Sequence, residues 1–326
     1  MNQIITLDHG SGGQLTSDLI DELIVPTFQN KALQELKDGA VLENHSKELV
    51  FSTDSFVVDP WQFPGGDIGK LAVCGTLNDI CMAGGDPKYL SCALIIEDGF
   101  SIRDLKTILH SMEKTAQNAH VQIVTGDTKV IERQKGNQIF INTAGIGFLQ
   151  RKMDYSYQEN DAIVVSGSIG RHGASIFMTR KDIHIDGNLQ SDCACLKEKA
   201  NLAMRFDGLR ILRDPTRGGL ATTCIELIEK TDFGLDLYEK DIPVDNDVQT
   251  LCDLLGLDPF YLACEGRMIC IIDSLQAPSL CKALGPESRI IGRITKKHPK
   301  KLYLKTKIGA TRQLRKLSGQ PLPRIC

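Results

Sequence analysis

A chain of 326 residues and 35.9 kDa has room for two domains of about 150 residues each. Its 42% hydrophobic and 24% charged residues are the balance of a chain with a sizeable core. No apolar run nears the roughly 20 residues that cross a bilayer, and the polar N-terminus lacks a leader core, so it reads as cytoplasmic. The net charge of −3 hides an asymmetry: Arg293 to Cys326 holds eleven Lys/Arg and no acid, leaving 27 basic against 41 acidic residues before it, a body of net charge −14.

In chain order, the first half offers strand candidates at Leu49–Ser52, Tyr89–Ile96, Val121–Thr125 and Gln138–Ile146, rich in Ile, Val and Phe. Helix-period segments lie between them at Gly69–Met82 and Ile102–Ala119, the second opened by Ser101 with Asp104. A polar stretch, Arg151 to Asn160, separates the halves. The second half begins with the strand Ala162–Ser166 and runs through helix candidates at Gly173–Arg180, Leu196–Phe206 and Gly219–Lys230. It returns to strand at Met268–Asp273 and Arg289–Thr295, and Lys296–Lys307 reads as a solvated basic strand pair. Each half is a mixed α/β unit without regular Rossmann alternation. Two prolines after Ser318 forbid helix and favour an extended, mobile tail ending at Cys326. The expected division is 1–150, 151–310 and a tail over 311–326.

Eleven cysteines, odd in number and mostly in apolar company, read as small buried hydrophobes; there is no Cys-x-x-Cys pair to suggest a zinc ribbon. One Trp argues against a single-stranded nucleic-acid platform. Familiar phosphate loops are missing too. Gly65-Gly-Asp-Ile-Gly69-Lys70-Leu71 has the wrong glycine spacing, with Leu where Ser or Thr should meet magnesium, and Gly167 to Gly173 is not Gly-x-Gly-x-x-Gly.

Acidic residues at glycine-rich or turn-like junctions supply another apparatus: Asp54 after a strand, Asp79 in Asn78-Asp79, Asp127 in Gly126-Asp-Thr128-Lys129, and Asp214 before a helix. A single strand-end Asp is usually a turn former or cap, but four beside small neighbours point to a divalent cation and phosphate, because magnesium takes hard oxygen ligands and bridges carboxylates to phosphate oxygens. Lys70, Lys129 and Arg217 offset phosphate charge, and Gly10-Ser-Gly12-Gly13 offers backbone N–H groups.

These stretches, together with Ser52-Thr-Asp-Ser55, Val124–Val130, Asn142–Gly145, Ser191-Asp-Cys193, Arg217-Gly-Gly219, Glu265-Gly266 and the terminal Pro323-Arg-Ile-Cys326, resemble the superfamily of aminoimidazole ribonucleotide synthetases, selenophosphate synthetases and thiamine-monophosphate kinases. Within it the chain resembles the HypE family of hydrogenase maturation factors, the carbamoyl dehydratases. The resemblance covers nearly the whole chain, and the Pro-Arg-Ile-Cys end is its most discriminating part.

The resemblance implies an α+β, two-domain fold of the aminoimidazole ribonucleotide synthetase type, with mixed sheets and packed helices, and protomers pairing through their N-terminal domains near ATP. It implies that Cys326 receives a carbamoyl group from the carbamoyltransferase HypF. ATP-dependent dehydration to a thiocyanate follows, and the cyanide passes to the HypC–HypD scaffold that builds the iron centre of nickel–iron hydrogenase. Cys326, Glu265 and Lys129 are then the catalytic candidates, Glu265 as general base. Gly12, Gly13, Asp54, Lys70, Asp79, Asp127, Thr128 and Arg217 are expected at ATP, and Asp54, Asp79, Asp127 and Asp214 at Mg2+. Neither nucleic acid nor membrane is an expected partner.

The chain departs from the family pattern at Cys264 and Arg267, where Asn and Lys are expected beside Glu265, and at Asp67, where Asn is expected. Two alternatives remain open: a phosphotransferase of the same superfamily acting on a free small molecule, and a non-enzymatic ATP-gated partner-binding protein.

Overall fold

The structure, a computed structural model, describes residues 4–11, 13–34, 39–183 and 187–317. Short helical turns α1 (Gln14–Leu19), α2 (Val25–Phe28) and α3 (Lys31–Gln34) precede the first sheet. Strand β1 (Leu49–Phe56) and the small ribbon β2 (Gln62–Phe63) and β3 (Gly66–Asp67) lead into helix α4 (Ile68–Met82), then β4 (Gly85–Glu97), α5 (Ile102–Asn118), β5 (Gln122–Ile131) and β6 (Ile139–Leu149). The sheet order is β1-β6-β4-β5, antiparallel except for the β4–β5 pair. Helix α4 is apolar all round and accordingly buried over nearly its whole length, the mark of a helix enclosed on every side. Asp67 starts it, accepting the Lys70 N–H at 2.8 Å, so this departure from the family pattern is a helix cap that Asn would serve equally.

One face of this sheet carries α4 and α5; the other is open. Side chains alternate along a strand, so residues in one register row share a face. Phe51, Ile146 and Tyr89 form one such row on the open face, where Phe51 is 66% exposed. On the opposite, α4-facing side lie Ser52 and Phe56; the Ser52 hydroxyl donates to Asp79 at 2.8 Å.

The second half opens with β7 (Ala162–Val165) and α6 (Arg171–Lys181), followed by α7 (Lys197–Ala203), β8 (Leu209–Arg213), α8 (Gly219–Ile228), β9 (Gly234–Tyr238) and α9 (Asn246–Leu255). It closes with β10 (Ile269–Ile272), α10 (Ala277–Leu284), β11 (Arg289–Thr295), β12 (Leu302–Lys305) and β13 (Thr311–Leu314). Seven strands run in the order β13-β12-β9-β11-β7-β10-β8, with only β12–β9 parallel. The sheet therefore continues past 310, the expected start of the tail: Leu302 and Leu314 are buried opposite each other, and this pairing holds β13 in the sheet. The ten described cysteines are free thiols, eight of them buried.

Polar groups stitch the halves together. The buried Asn78 amide donates to the carbonyls of Ala194 (3.1 Å) and Glu265 (3.4 Å), and its oxygen accepts the Leu196 N–H at 2.8 Å. Lys197 reaches back to Asp86 (2.9 Å) and the Ala119 carbonyl (2.8 Å). In the connecting stretch, Arg151 donates to four carbonyls, those of Met204, Phe206, Asp207 and Leu209, at 2.7–3.0 Å. Asn78→Ala strands the Leu196 N–H and the Ala194 carbonyl in the seam and takes one of two donors from the Glu265 carbonyl. The expected loss is roughly 2–4 kcal/mol of stability, read from denaturant unfolding; an unchanged midpoint would contradict this role.

Candidate active site

The seam pinned by Asn78 also gathers the acidic residues. Asp79 follows Asn78 on α4, and Asp54 lies beside it near the end of β1; a side chain at Gly75 of α4 would lie 3.8 Å from the Asp54 carboxylate. From the second half, Asp214 enters on the loop between β8 and α8. Gly219 ends that loop at φ +61°, and a Cβ there would meet the Leu262 carbonyl at 2.6 Å. Only glycine lets the loop lie this close to the Leu262–Glu265 segment. The Cys264 N–H then donates to the Pro215 carbonyl at 3.0 Å, fixing Glu265 beside Asp214.

Electrostatically this is a group of acids without enough cations. Burial pushes the Asp54 and Asp79 carboxyls above the ordinary carboxylate range, and Asp79 adds to the effect on Asp54. Burial, followed by the charge of Asp79, pushes Asp214 up to about 7. Glu265 is 3% exposed and held well above its usual value by burial; Cys193, Asp214, Asp192 and Asp54 all act in the same direction. Arg217, exposed, and Arg213 are the cations that oppose these shifts. Among the described residues no three His, Cys, Asp or Glu side chains group tightly enough to hold a metal ion by themselves.

A second group lies elsewhere. Asp127 and Lys129 on β5 are exposed and pair with each other at 2.7 Å; that ammonium holds the Asp127 carboxyl below its usual range. The register places Asp127 in the row of Ala93, Asn142 and Ser55, at the opposite edge of the sheet from β1. Three strand spacings amount to about 14 Å. Within one protomer Asp127 thus stands apart from Asp54, Asp79 and Asp214. Asp127, Thr128 and Lys129 instead line a cavity of about 290 Å3 between β4, β5 and the N-terminal helical turns, with Ile20, Phe28 and Leu94 among its apolar walls.

Lys70 donates to the Gly65 carbonyl at 2.9 Å at the start of α4, and Gly13 begins α1. Gly12 and Cys326, both expected at the site, lie outside the described residues. His172 is fully buried with Nδ1 2.8 Å from the Ser191 hydroxyl, a packing role. Asn78 as a domain pin and Asp192 beside Glu265 were not foreseen. Asn78 has a helical sequence context that says nothing of a partner domain, and Asp192 lies 73 residues from Glu265.

Two family models cover most of the chain: AIR synthase related protein, N-terminal domain, matches residues 36–149, and the corresponding C-terminal domain matches 158–305. Carbamoyl dehydratase HypE of Cupriavidus necator is 42% identical over 99% of this chain and 95% of its own length. A crystal structure of hydrogenase maturation protein HypE in complex with ATP superposes with a TM-score of 0.94 at 40% identity, covering 98% of this chain and 99% of that one. A chain of a HypE–HypF complex gives a TM-score of 0.80 at 36% identity, covering 92% and 99%.

The raised Asp214 value makes stability depend on pH in a definite direction. The folded chain keeps this proton to about pH 7, whereas an unfolded Asp releases it near the ordinary value of 3.8. Between these limits the folded state binds more protons, so Asp214 lowers stability progressively as pH rises. Asp214→Asn in nucleotide-free, chelator-treated protein is therefore expected to raise the melting temperature more at pH 8 than at pH 5. An equal or larger gain at pH 5 would contradict the assignment.

Proposed function

The chain belongs to the HypE family of carbamoyl dehydratases, and from that membership we propose that it uses ATP to dehydrate an S-carbamoyl group on its own Cys326 to a thiocyanate. The observation that carries this reading is the position of Glu265, buried at the seam where Asp54, Asp79 and Asp214 converge, where burial raises its proton affinity. An amide oxygen leaves poorly, so it must first be activated. The carbamoyl oxygen attacks the γ-phosphorus of ATP, ADP departs, and one N–H proton is lost. The C–O bond then breaks, phosphate leaves with the bonding pair, and the second N–H proton is lost, giving S–C≡N. Glu265 in its ionised form is the acceptor for these protons, and the raised proton affinity that burial gives its carboxyl makes it a stronger base than an exposed one.

The carboxylates of Asp54, Asp79 and Asp214 fit Mg2+: they are hard oxygen donors whose mutual repulsion a cation relieves, and magnesium commonly takes one or two carboxylates and completes its shell with phosphate and water. When bound, the ion neutralises charge on the transferring phosphoryl group. We assign Lys70 and Arg217 to phosphate: the charge of Arg217 acts on Asp54, and that of Lys70 on Cys193, which in turn acts on Glu265. Asp127, Thr128 and Lys129 belong to the apolar cavity, whose size and walls suit a nucleotide base.

The two groups of nucleotide-binding residues lie at opposite edges of one sheet, and we place one ATP between the β1 edge of one protomer and the β5 edge of its partner. The natural place for the second protomer is the open sheet face, where Leu49, Phe51 and Ile95 are exposed. We therefore assign a homodimer to this face, HypF as the carbamoyl donor, the HypC–HypD complex as the cyanide acceptor, and the cytoplasm as the site of action. Phe51→Asp is expected to convert the dimer to monomer in analytical ultracentrifugation; a dimer of wild-type strength would remove this face from consideration.

The decisive experiment is intact mass with peptide mapping after incubation with HypF, carbamoyl phosphate and Mg-ATP, alongside Cys326→Ala. A carbamoyl adduct on Cys326 that loses one water only with ATP is the expected result. An unmodified Cys326 beside demonstrably active HypF would favour a phosphotransferase acting on a free small molecule.

A further inference from the structure

The Ser191-Asp192-Cys193 stretch matches the family pattern but carries no part of the chemistry above, and its middle residue has an unusual environment. The Asp192 side chain is fully shielded from solvent. One carboxylate oxygen accepts two backbone N–H groups, that of His172 at 3.1 Å and that of Glu265 at 3.3 Å. Among the described residues the other oxygen has no hydrogen-bond partner, and the Arg267 guanidinium lies 3.8 Å away. Arg267 is itself anchored: it donates to the Ser168 carbonyl at 3.0 Å and meets Glu287 at 3.4 Å.

The backbone around this contact is closely fitted. A Cβ at Gly266 would come within 1.8 Å of the Asp192 carbonyl oxygen, so the two segments touch directly. The Glu265 carbonyl accepts from Ala194 N–H at 3.2 Å and from the Asn78 amide at 3.4 Å. Glu265 is thus gripped at both ends of its own backbone, with Asp192 holding the N–H side.

A buried carboxylate with one unbonded oxygen is a costly way to join two segments. A neutral packed residue would serve stability alone better, whereas a single oxygen that accepts both backbone N–H groups stiffens the join by holding the two segments to one point. Stiffness is what a proton-transfer group needs, since misplacement by about 1 Å can reduce a rate on the order of 100-fold.

We propose that Asp192, braced by Arg267, is a positioning residue for the dehydration: it fixes the backbone of Glu265 so that its carboxyl faces Asp54 and Asp214. Asp192 lies behind Glu265 and does not touch the reacting group. The role rests on the dehydratase reading above.

The test uses full-length, carbamoylated protein and compares wild type with Asp192→Ala and Asp192→Asn in single-turnover dehydration and in Mg-ATP binding. Asp192→Ala is expected to slow dehydration by on the order of 100-fold with Mg-ATP affinity within about twofold. Asp192→Asn should stay within about tenfold of wild type, because the amide oxygen still accepts both N–H groups. Wild-type rates in Asp192→Ala, or a loss of affinity as large as the loss of rate, would overturn the positioning role. If Asp192→Ala does not fold, Arg267→Gln replaces it: an approximately tenfold slower reaction at unchanged affinity supports the proposal, and an unchanged rate overturns it. Wild-type protein that binds Mg-ATP but keeps its carbamoyl group intact would refute the dehydratase reading, and the positioning role with it.

Discussion

The amide of Asn78 is the interaction on which the rest of the structure depends. It sits in the middle of an apolar helix, and its three hydrogen bonds all go to the other domain. Burying an amide this deeply is tolerable only because each polar atom is matched. Since Asp79 is the next residue, the pin that sets the domain geometry also sets where that carboxylate points. The same amide touches the Glu265 carbonyl, so two functional side chains on different domains are referred to one buried group. Packing alone would hold the domains together; the directional bonds determine how they face each other.

The seam carries an electrostatic burden that has no structural benefit. Asp54, Asp79, Asp214 and Glu265 raise one another's proton affinity or lie buried without a paired cation. A site optimised for stability would replace them with neutral residues. Contrast Asp236, buried like Glu265 but paired with His298 at 2.8 Å and Lys305 at 3.2 Å, where the charge is locally balanced and serves the sheet. Unbalanced acids in the seam are the signature of a place where positive charge arrives with a ligand.

Much of this was legible in the sequence because the local signals were strong. Ile/Val-rich runs gave the strands of the first sheet, and β1 extends to Phe56 because its pairing with β6 continues through Asp54 although the burial alternation stops there. What remained hidden depends on partners distant in the chain. Strand β9 reads Gly-Leu-Asp-Leu-Tyr, short and interrupted by an acid whose partners lie more than sixty residues on. Strand β13 lies at 311–314, inside the span assigned to the tail, and its pairing with β12 places it in the sheet. Helices α9 and α10 are amphipathic but brief, and neither was anticipated.

The site was half legible for a more specific reason. Asp54 and Asp127 have the same local signature, an acid at a strand with small neighbours, and nothing in either segment says which edge of the sheet it occupies. Strand order decides that: β1 and β5 end up at opposite edges, and Asp127 falls in the row of Ser55, across three strands. A sequence motif therefore marks candidates for a phosphate site but not the sheet edge on which each one lies. If both groups serve one nucleotide, the β5 group of one copy must meet the β1 edge of another, and the exposed apolar row through Phe51 lies on the face between them. On this view dimer formation does more than stabilise the fold, because each complete site is built from two chains.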